Sequence, residues 1–227
     1  PPLRVRDSGP ARPLPRLHVV TDDDVLGAAD WPDRALAVVR EGGAGIALHL
    51  RGPRTSGSRL HELAGLLRDP SSGAGALLVV NDRLDVALAH GITAVHLGGR
   101  SLDLAAGRAL LGDSARVGRS CHSVDDAEAA RAQGAEWIFG GTVFPTPSHP
   151  GVAGRGVKWV ASAVAAAGQV PVVAIGGVRP DRVGSLRKAG AHGVAAIRGI
   201  WDRPDPAGAV REYIEALEDR AAQRGRD

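Results

Sequence analysis

Eight short apolar runs separated by segments of helical length leave this chain very few folds. The runs are 17–21, 45–51, 76–81, 94–97, 116–119, 137–140, 170–175 and 193–197. Amphipathic stretches lie between them, for example 82–90, 123–133, 156–167 and 180–189. Strict β–α alternation implies parallel strands, because parallel neighbours can only be joined by a crossover. Eight repeats favour closure into a single (β/α)8 TIM barrel, with an open doubly wound sheet as the alternative. The length of 227 residues is close to the roughly 250 of such a barrel. Aromatic residues make up only 3% of the chain against 44% hydrophobic, so the core must be built from Ala, Val, Leu and Ile.

Helix boundaries are well marked. Ser123-Val-Asp-Asp126 places a serine cap and two acids in a first turn. Pro180 opens another helix, and Gly91, Gly134 and Gly190 mark helix ends. Asp82 reads as the cap of the helix that begins there, or, with Asn81, as a metal-ligand pair. Residues 1–15 are rich in Pro and Arg and are expected to be a disordered leader ahead of a barrel domain at 16–223, closed by a helix over 204–223. The Gly/Pro/Ser/Thr-rich segment 140–156 predicts a long binding loop after strand six.

The net charge of +3 is spread along the chain. With four Trp, two Phe and one Tyr there is no basic, aromatic stripe for nucleic acid. No apolar run reaches the roughly 20 residues of a membrane span, and no signal-peptide pattern appears. A single cysteine, Cys121, excludes an internal disulfide and fits a reducing, cytoplasmic location.

In a barrel the strand C-termini form the active-site face. The strongest ligand signal there is Val170-Pro-Val-Val-Ala-Ile-Gly-Gly177, followed after a helix by Gly193-Val-Ala-Ala-Ile-Arg-Gly199. Two adjacent strands ending at glycine expose backbone N–H groups and make a phosphate cradle of Gly176, Gly177 and Gly199. Other tip residues are Arg51, Asn81, Ser120, His122, Thr142 and Arg198. Histidine is the side chain whose unperturbed pKa lies nearest neutral, so His122 is the candidate proton carrier; the plainer reading is a solvent-facing loop histidine. Arg51 suits a carboxylate or phosphate, or a structural ion pair. His96 reads as a core histidine, His49 and His149 as surface or pocket residues, and Cys121 as a buried filler.

These residues resemble a known family. Leu17-His-Val-Val-Thr-Asp22, Asn81-Asp-Arg-Leu-Asp85, Val95-His-Leu-Gly98, Val117-Gly-Arg-Ser-Cys-His-Ser123, Phe139-Gly-Gly-Thr142 and Pro171-Val-Val-Ala-Ile-Gly-Gly177 are similar, in order and spacing, to the thiamine phosphate synthase/TenI superfamily. The resemblance implies a thiamine-biosynthesis barrel acting on a small-molecule thiazole phosphate, without nucleic acid or membrane; a homodimer is compatible with it. Synthases of the family have an Arg-x-Lys at strand two, an aspartate after His-Leu-Gly that helps hold magnesium, and a lysine in the strand-six loop. Here those positions are Pro53, Ser101 and His149. Gly118-Arg-Ser-Cys-His-Ser123 and Gly151-Val-Ala-Gly-Arg-Gly156 resemble the TenI branch. The expected activity is therefore thiazole tautomerase, with no metal or cofactor. His122 would move the proton, Arg51 would hold the substrate carboxylate, and Arg198, where the family usually has a small residue, would add a phosphate contact or narrow the pocket. A thiamine phosphate synthase and a non-catalytic TenI-like regulator are the alternatives.

Overall fold

The computed structural model of the chain describes residues 13–99, 101–112, 114–147 and 151–218. Eight parallel strands close on themselves: β1 (Leu17–Val20), β2 (Ile46–Leu50), β3 (Leu77–Asn81), β4 (Ala94–Leu97), β5 (Arg116–Cys121), β6 (Trp137–Gly141), β7 (Val172–Ile175) and β8 (Gly193–Ala196). β8 pairs with β1, Leu17 opposite Val194 and Val19 opposite Ala196, which excludes the open sheet. Every expected strand is present. Nearly all strand residues are buried, as parallel strands covered on both faces must be.

Helices α1 (Asp23–Gly27), α2 (Trp31–Gly42), α3 (Gly57–Ala74), α4 (Leu84–His90), α5 (Leu104–Leu111), α6 (Val124–Ala132), α7 (Gly156–Ala167), α8 (Pro180–Lys188), α9 (Arg198–Trp201) and α10 (Pro206–Glu218) surround the barrel. The caps read from sequence do their work. Ser123 Oγ accepts the Asp126 N–H while the Asp126 carboxylate accepts the Ser123 N–H, a reciprocal pair that starts α6. One cap reading is corrected. α4 begins at Leu84 rather than Asp82, and Asp82 stands at φ 61 with its carboxylate on the Gly98 N–H at 2.7 Å. Aspartate serves both as a cap and as one of the few non-glycine residues that tolerate left-handed backbone, so sequence favoured the wrong use. The expected helix over 204–223 is α10 as far as Glu218; residues 219–223, the leader residues 1–12 and His149 lie outside the described residues.

Two apolar layers hold the fold. The larger lies between strands and helices. The smaller fills the barrel interior with Val20, Ala47, Val79, Ala94, Trp137, Phe139, Val173 and Ala195. Small side chains predominate, but Trp137 and Phe139 occupy the middle. Gly118 on β5 makes room for them: a Cβ there would lie 2.1 Å from the Trp137 ring. Gly118→Ala is expected to destabilise the protein by about 1–3 kcal/mol through overpacking, measured by denaturant unfolding.

Candidate active site

Side chains two apart along a strand share a face. Ala47 and His49 of β2, Val79 of β3, Ala94 and His96 of β4, and Trp137 and Phe139 of β6 meet in the interior. One step further along each strand comes the barrel mouth, so Arg51, Asn81, Ser120, His122 and Gly141 project to the same end. The structure therefore brings the expected residues of strands two, three, five and six together. His122 is exposed, and its Nδ1 lies 3.3 Å from the Gly141 carbonyl. A nitrogen facing a carbonyl oxygen carries a proton, so Nδ1–H donates to Gly141 O. Arg51 is half-buried, and no ion pair engages it among the described residues.

The mouth rests on a layer of buried histidines: His96 is in the core as expected, whereas His49, expected at the surface or in the pocket, is fully enclosed in the barrel interior beside His18. His18 Nδ1 lies 2.8 Å from His49 Nε2, and His49 Nδ1 lies 2.9 Å from Asn81 Oδ1. Facing a carbonyl oxygen, His49 Nδ1 is the protonated nitrogen; its Nε2 then accepts from His18 Nδ1–H. This sequence of bonds fixes the Asn81 amide from below. His96 Nε2 lies 2.9 Å from Ser120 Oγ, and its Nδ1 has no partner. A bare lone pair is the cheaper group to leave unpartnered, so Nε2–H donates and the Ser120 O–H is free to face a ligand. The alternation of β2 and β4 is the signal that reveals this layer: each of these histidines is a full period below a mouth residue.

On the opposite side lies the glycine cradle. Gly176 and Gly177 stand at φ 102 and 59, conformations that favour glycine. The loop after β6 also presses on them: a Cβ on Gly176 would sit 2.5 Å from Thr142 Cγ2, and one on Gly177 2.5 Å from the Pro145 carbonyl. The loop is held there because Val143 N–H donates to Ile175 O and Phe144 N–H to Gly176 O. Gly199 touches the C-terminal helix, where a Cβ would lie 2.2 Å from Tyr213 Oη. Among the described residues no group accepts the N–H of Gly177 or Gly199. Open backbone donors at two adjacent strand tips suit a phosphate.

Arg198 faces away from this task. Its guanidinium lies 3.1 Å from Asp22, 2.8 Å from Asp24 and 3.4 Å from Asp202. Three carboxylates neutralise it and tie β8 to the segment after β1. Arg54 is likewise held by Asp23 and Asp24, so it does not replace the missing lysine at Pro53. Cys121 is buried, and burial, with the Asp126 carboxylate nearby, pushes its thiol up to about 12. That keeps it protonated and unreactive, in keeping with a filler role.

The resemblance implies a magnesium site at this mouth in the family's synthases. Its donor set here is the Asp82 carboxylate and the Ser101 hydroxyl, and Asp82 already accepts the Gly98 N–H. Among the described residues no group of three or more His, Cys, Asp or Glu side chains is arranged to hold a metal ion. The residues present do not match a two-carboxylate magnesium site.

The buried histidines make stability depend on pH. Desolvation lowers the pKa of His49 to about 4 and holds His18 and His96 well below 6.5. Each folded-state pKa is below the unfolded value, so the unfolded chain binds more protons in this range. Stability is complete above about pH 6.5 and falls as pH drops toward 4. For His49 the loss is on the order of 3 kcal/mol. Denaturant midpoints measured from pH 7.5 to 4 are expected to show this decline, with a shallower slope in His49→Gln.

With the geometry established, comparison with known proteins gives the chain's relationships. Residues 17–200 match the family model described as thiamine monophosphate synthase. The chain is 38% identical over 208 residues to the thiamine biosynthesis bifunctional protein ThiM/ThiE of Symbiobacterium thermophilum, spanning 92% of this chain but only 43% of that longer protein. It is 38% identical to the thiamine-phosphate synthase of Salinispora arenicola, over 90% of this chain and 98% of that one. The thiamine phosphate pyrophosphorylase structure from Pyrococcus furiosus superimposes with a TM-score of 0.78 at 26% identity, covering 90% of this chain and 96% of the other. These findings overturn the tautomerase expectation, because near-full-length likeness is to synthases. That expectation leaned on Pro53 and Ser101, which lie beyond strand ends, where residues change without disturbing the barrel. By the family match and by identity across the whole barrel, the chain belongs to the thiamine monophosphate synthase family.

Proposed function

We propose that the barrel is a thiamine-phosphate synthase, a transferase joining a pyrimidine pyrophosphate to a thiazole phosphate. The observation that carries this reading is the 38% identity to a synthase that the chain spans almost completely. In the reaction the thiazole nitrogen lone pair forms a bond to the methylene carbon of the pyrimidine. The carbon–oxygen bond to pyrophosphate breaks, and its electron pair leaves with pyrophosphate. No proton passes between the substrates, so the chemistry calls for alignment and charge neutralisation rather than a general base.

On this reading the thiazole phosphate sits on the N–H groups of Gly177 and Gly199, with Gly176 shaping the turn. Arg51, with no carboxylate partner among the described residues, takes charge on the departing pyrophosphate through its planar fork. Asn81, Ser120 and Thr142 form the polar wall, with Asn81 and Ser120 oriented by His49 and His96. His122 is a hydrogen-bonding group of that wall. No step is assigned to a metal, since the residues at Asp82 and Ser101 do not make the family's site.

Purified protein given both substrates in magnesium-containing buffer is expected to form thiamine phosphate and pyrophosphate in equal amounts. Saturable binding of thiazole phosphate without product would favour a non-catalytic binding protein instead. Arg51→Met is expected to lower kcat/KM by about 10²–10³-fold, the scale of losing a group that stabilises developing charge. His122→Asn should stay within about tenfold of the parent, because a hydrogen bond is lost but no proton carrier. A far larger loss in steady-state kinetics would return His122 to the chemical step.

A further inference from the structure

Arg182, on the first turn of α8, is the cation attached to the glycine cradle. Its Nη1 donates to the Gly177 carbonyl at 2.8 Å. Its guanidinium also lies over the Phe144 ring, 4.6 Å from the centroid. Phe144 in turn donates its N–H to Gly176 O at 3.0 Å. One side chain thus touches both the glycine turn and the loop pressed against it. Unlike Arg198, it has no ion-pair partner among the described residues, so its charge is not neutralised locally.

The consequence follows from peptide geometry. Gly177 stands at φ 59, and a glycine turn of this kind is free to rotate its peptide planes unless something holds them. The Gly177–Val178 peptide is trans and planar, so its C=O and N–H point in opposite directions. Holding the carbonyl on Arg182 directs the Val178 N–H away from α8. No group among the described residues accepts that N–H.

We propose that Arg182 is a positioning residue for the cradle, which by holding the Gly177 carbonyl presents the Val178 N–H to a phosphate monoester. The bond is charge-assisted, which makes it a strong fixture for a flexible turn. The inference rests on the reading of Gly177 and Gly199 as the phosphate site, and its test separates the two.

Amide spectra of 15N-labelled protein titrated with inorganic phosphate, and then with thiazole phosphate, provide that test. In the parent, the Gly177, Val178 and Gly199 amides are expected to move in a saturable way. Arg182→Met is expected to weaken phosphate binding about tenfold, the scale of one hydrogen bond to a charged group. It should also shift the Val178 amide before any phosphate is added and raise KM for thiazole phosphate more than it lowers kcat. A parent that binds no phosphate at these amides removes the cradle and this inference with it. A parent that binds, beside a variant that binds equally well with an unmoved Val178 amide, overturns Arg182 alone. Equal thermal midpoints in the two proteins establish that the loss is local. A variant that binds weakly only because its midpoint has collapsed overturns the positioning role in favour of a structural one.

Discussion

The pairing of β8 with β1 is the constraint on which the site depends. A parallel barrel closes only if its last strand finds its first in register. Here Leu17 meets Val194 and Val19 meets Ala196. The seam is reinforced at the mouth. Arg198 bridges from the end of β8 to Asp22 and Asp24 after β1, and Trp201 Nε1 donates to the Val20 carbonyl at 2.8 Å. Tyr213 completes it from the C-terminal helix, donating its buried hydroxyl to Val178 O at 2.7 Å. The tips that carry Gly177 and Gly199 are neighbours through the β7–β8 pairing, and closure is what brings the tips of β1 and β2 to the same mouth.

Closure also decides what the barrel interior contains. Three histidines, His18, His49 and His96, are fully enclosed beside Trp137 and Phe139. Burying polar rings costs free energy unless they are hydrogen-bonded. The barrel offsets this by packing the rings against the aromatic pair and by passing their bonds upward to Asn81 and Ser120. The polar wall of the mouth is thus the upper end of an internal network and is rigid for that reason. Among the described residues, two nitrogens of this layer, His18 Nε2 and His96 Nδ1, have no hydrogen-bond partner.

The charges around the mouth divide by their partners. Arg198 and Arg54 are consumed by aspartates at the end of β1. Arg51 and Arg182 are not, and they stand on opposite sides of the opening, one at the tip of β2 and the other behind the β7 glycines. The chain lacks the lysine and the second carboxylate of its relatives' expected pattern. What remains around the mouth is guanidinium groups and open backbone N–H donors, the groups on which the proposed handling of anionic substrates rests.

The alternation of apolar runs was enough to determine the number of strands and their parallel order. The glycine-terminated runs at 176–177 and 199 also marked two adjacent strand ends with open backbone N–H groups, on which the proposed phosphate cradle rests. The partners of charged side chains were not legible. Arg198 is equally suited to a phosphate or to three aspartates, and only the closed seam brings Asp22, Asp24 and Asp202 within its reach. Asp82 was read as a cap because capping is local, whereas its actual acceptor role depends on β4 lying beside β3. Arg182 was invisible for the same reason, since its two contacts, Gly177 and Phe144, belong to different strand ends. Local patterning sets which elements form, because it acts through neighbours in sequence. Which charges remain free for chemistry is a property of neighbours in space, and that was decided only when the barrel closed.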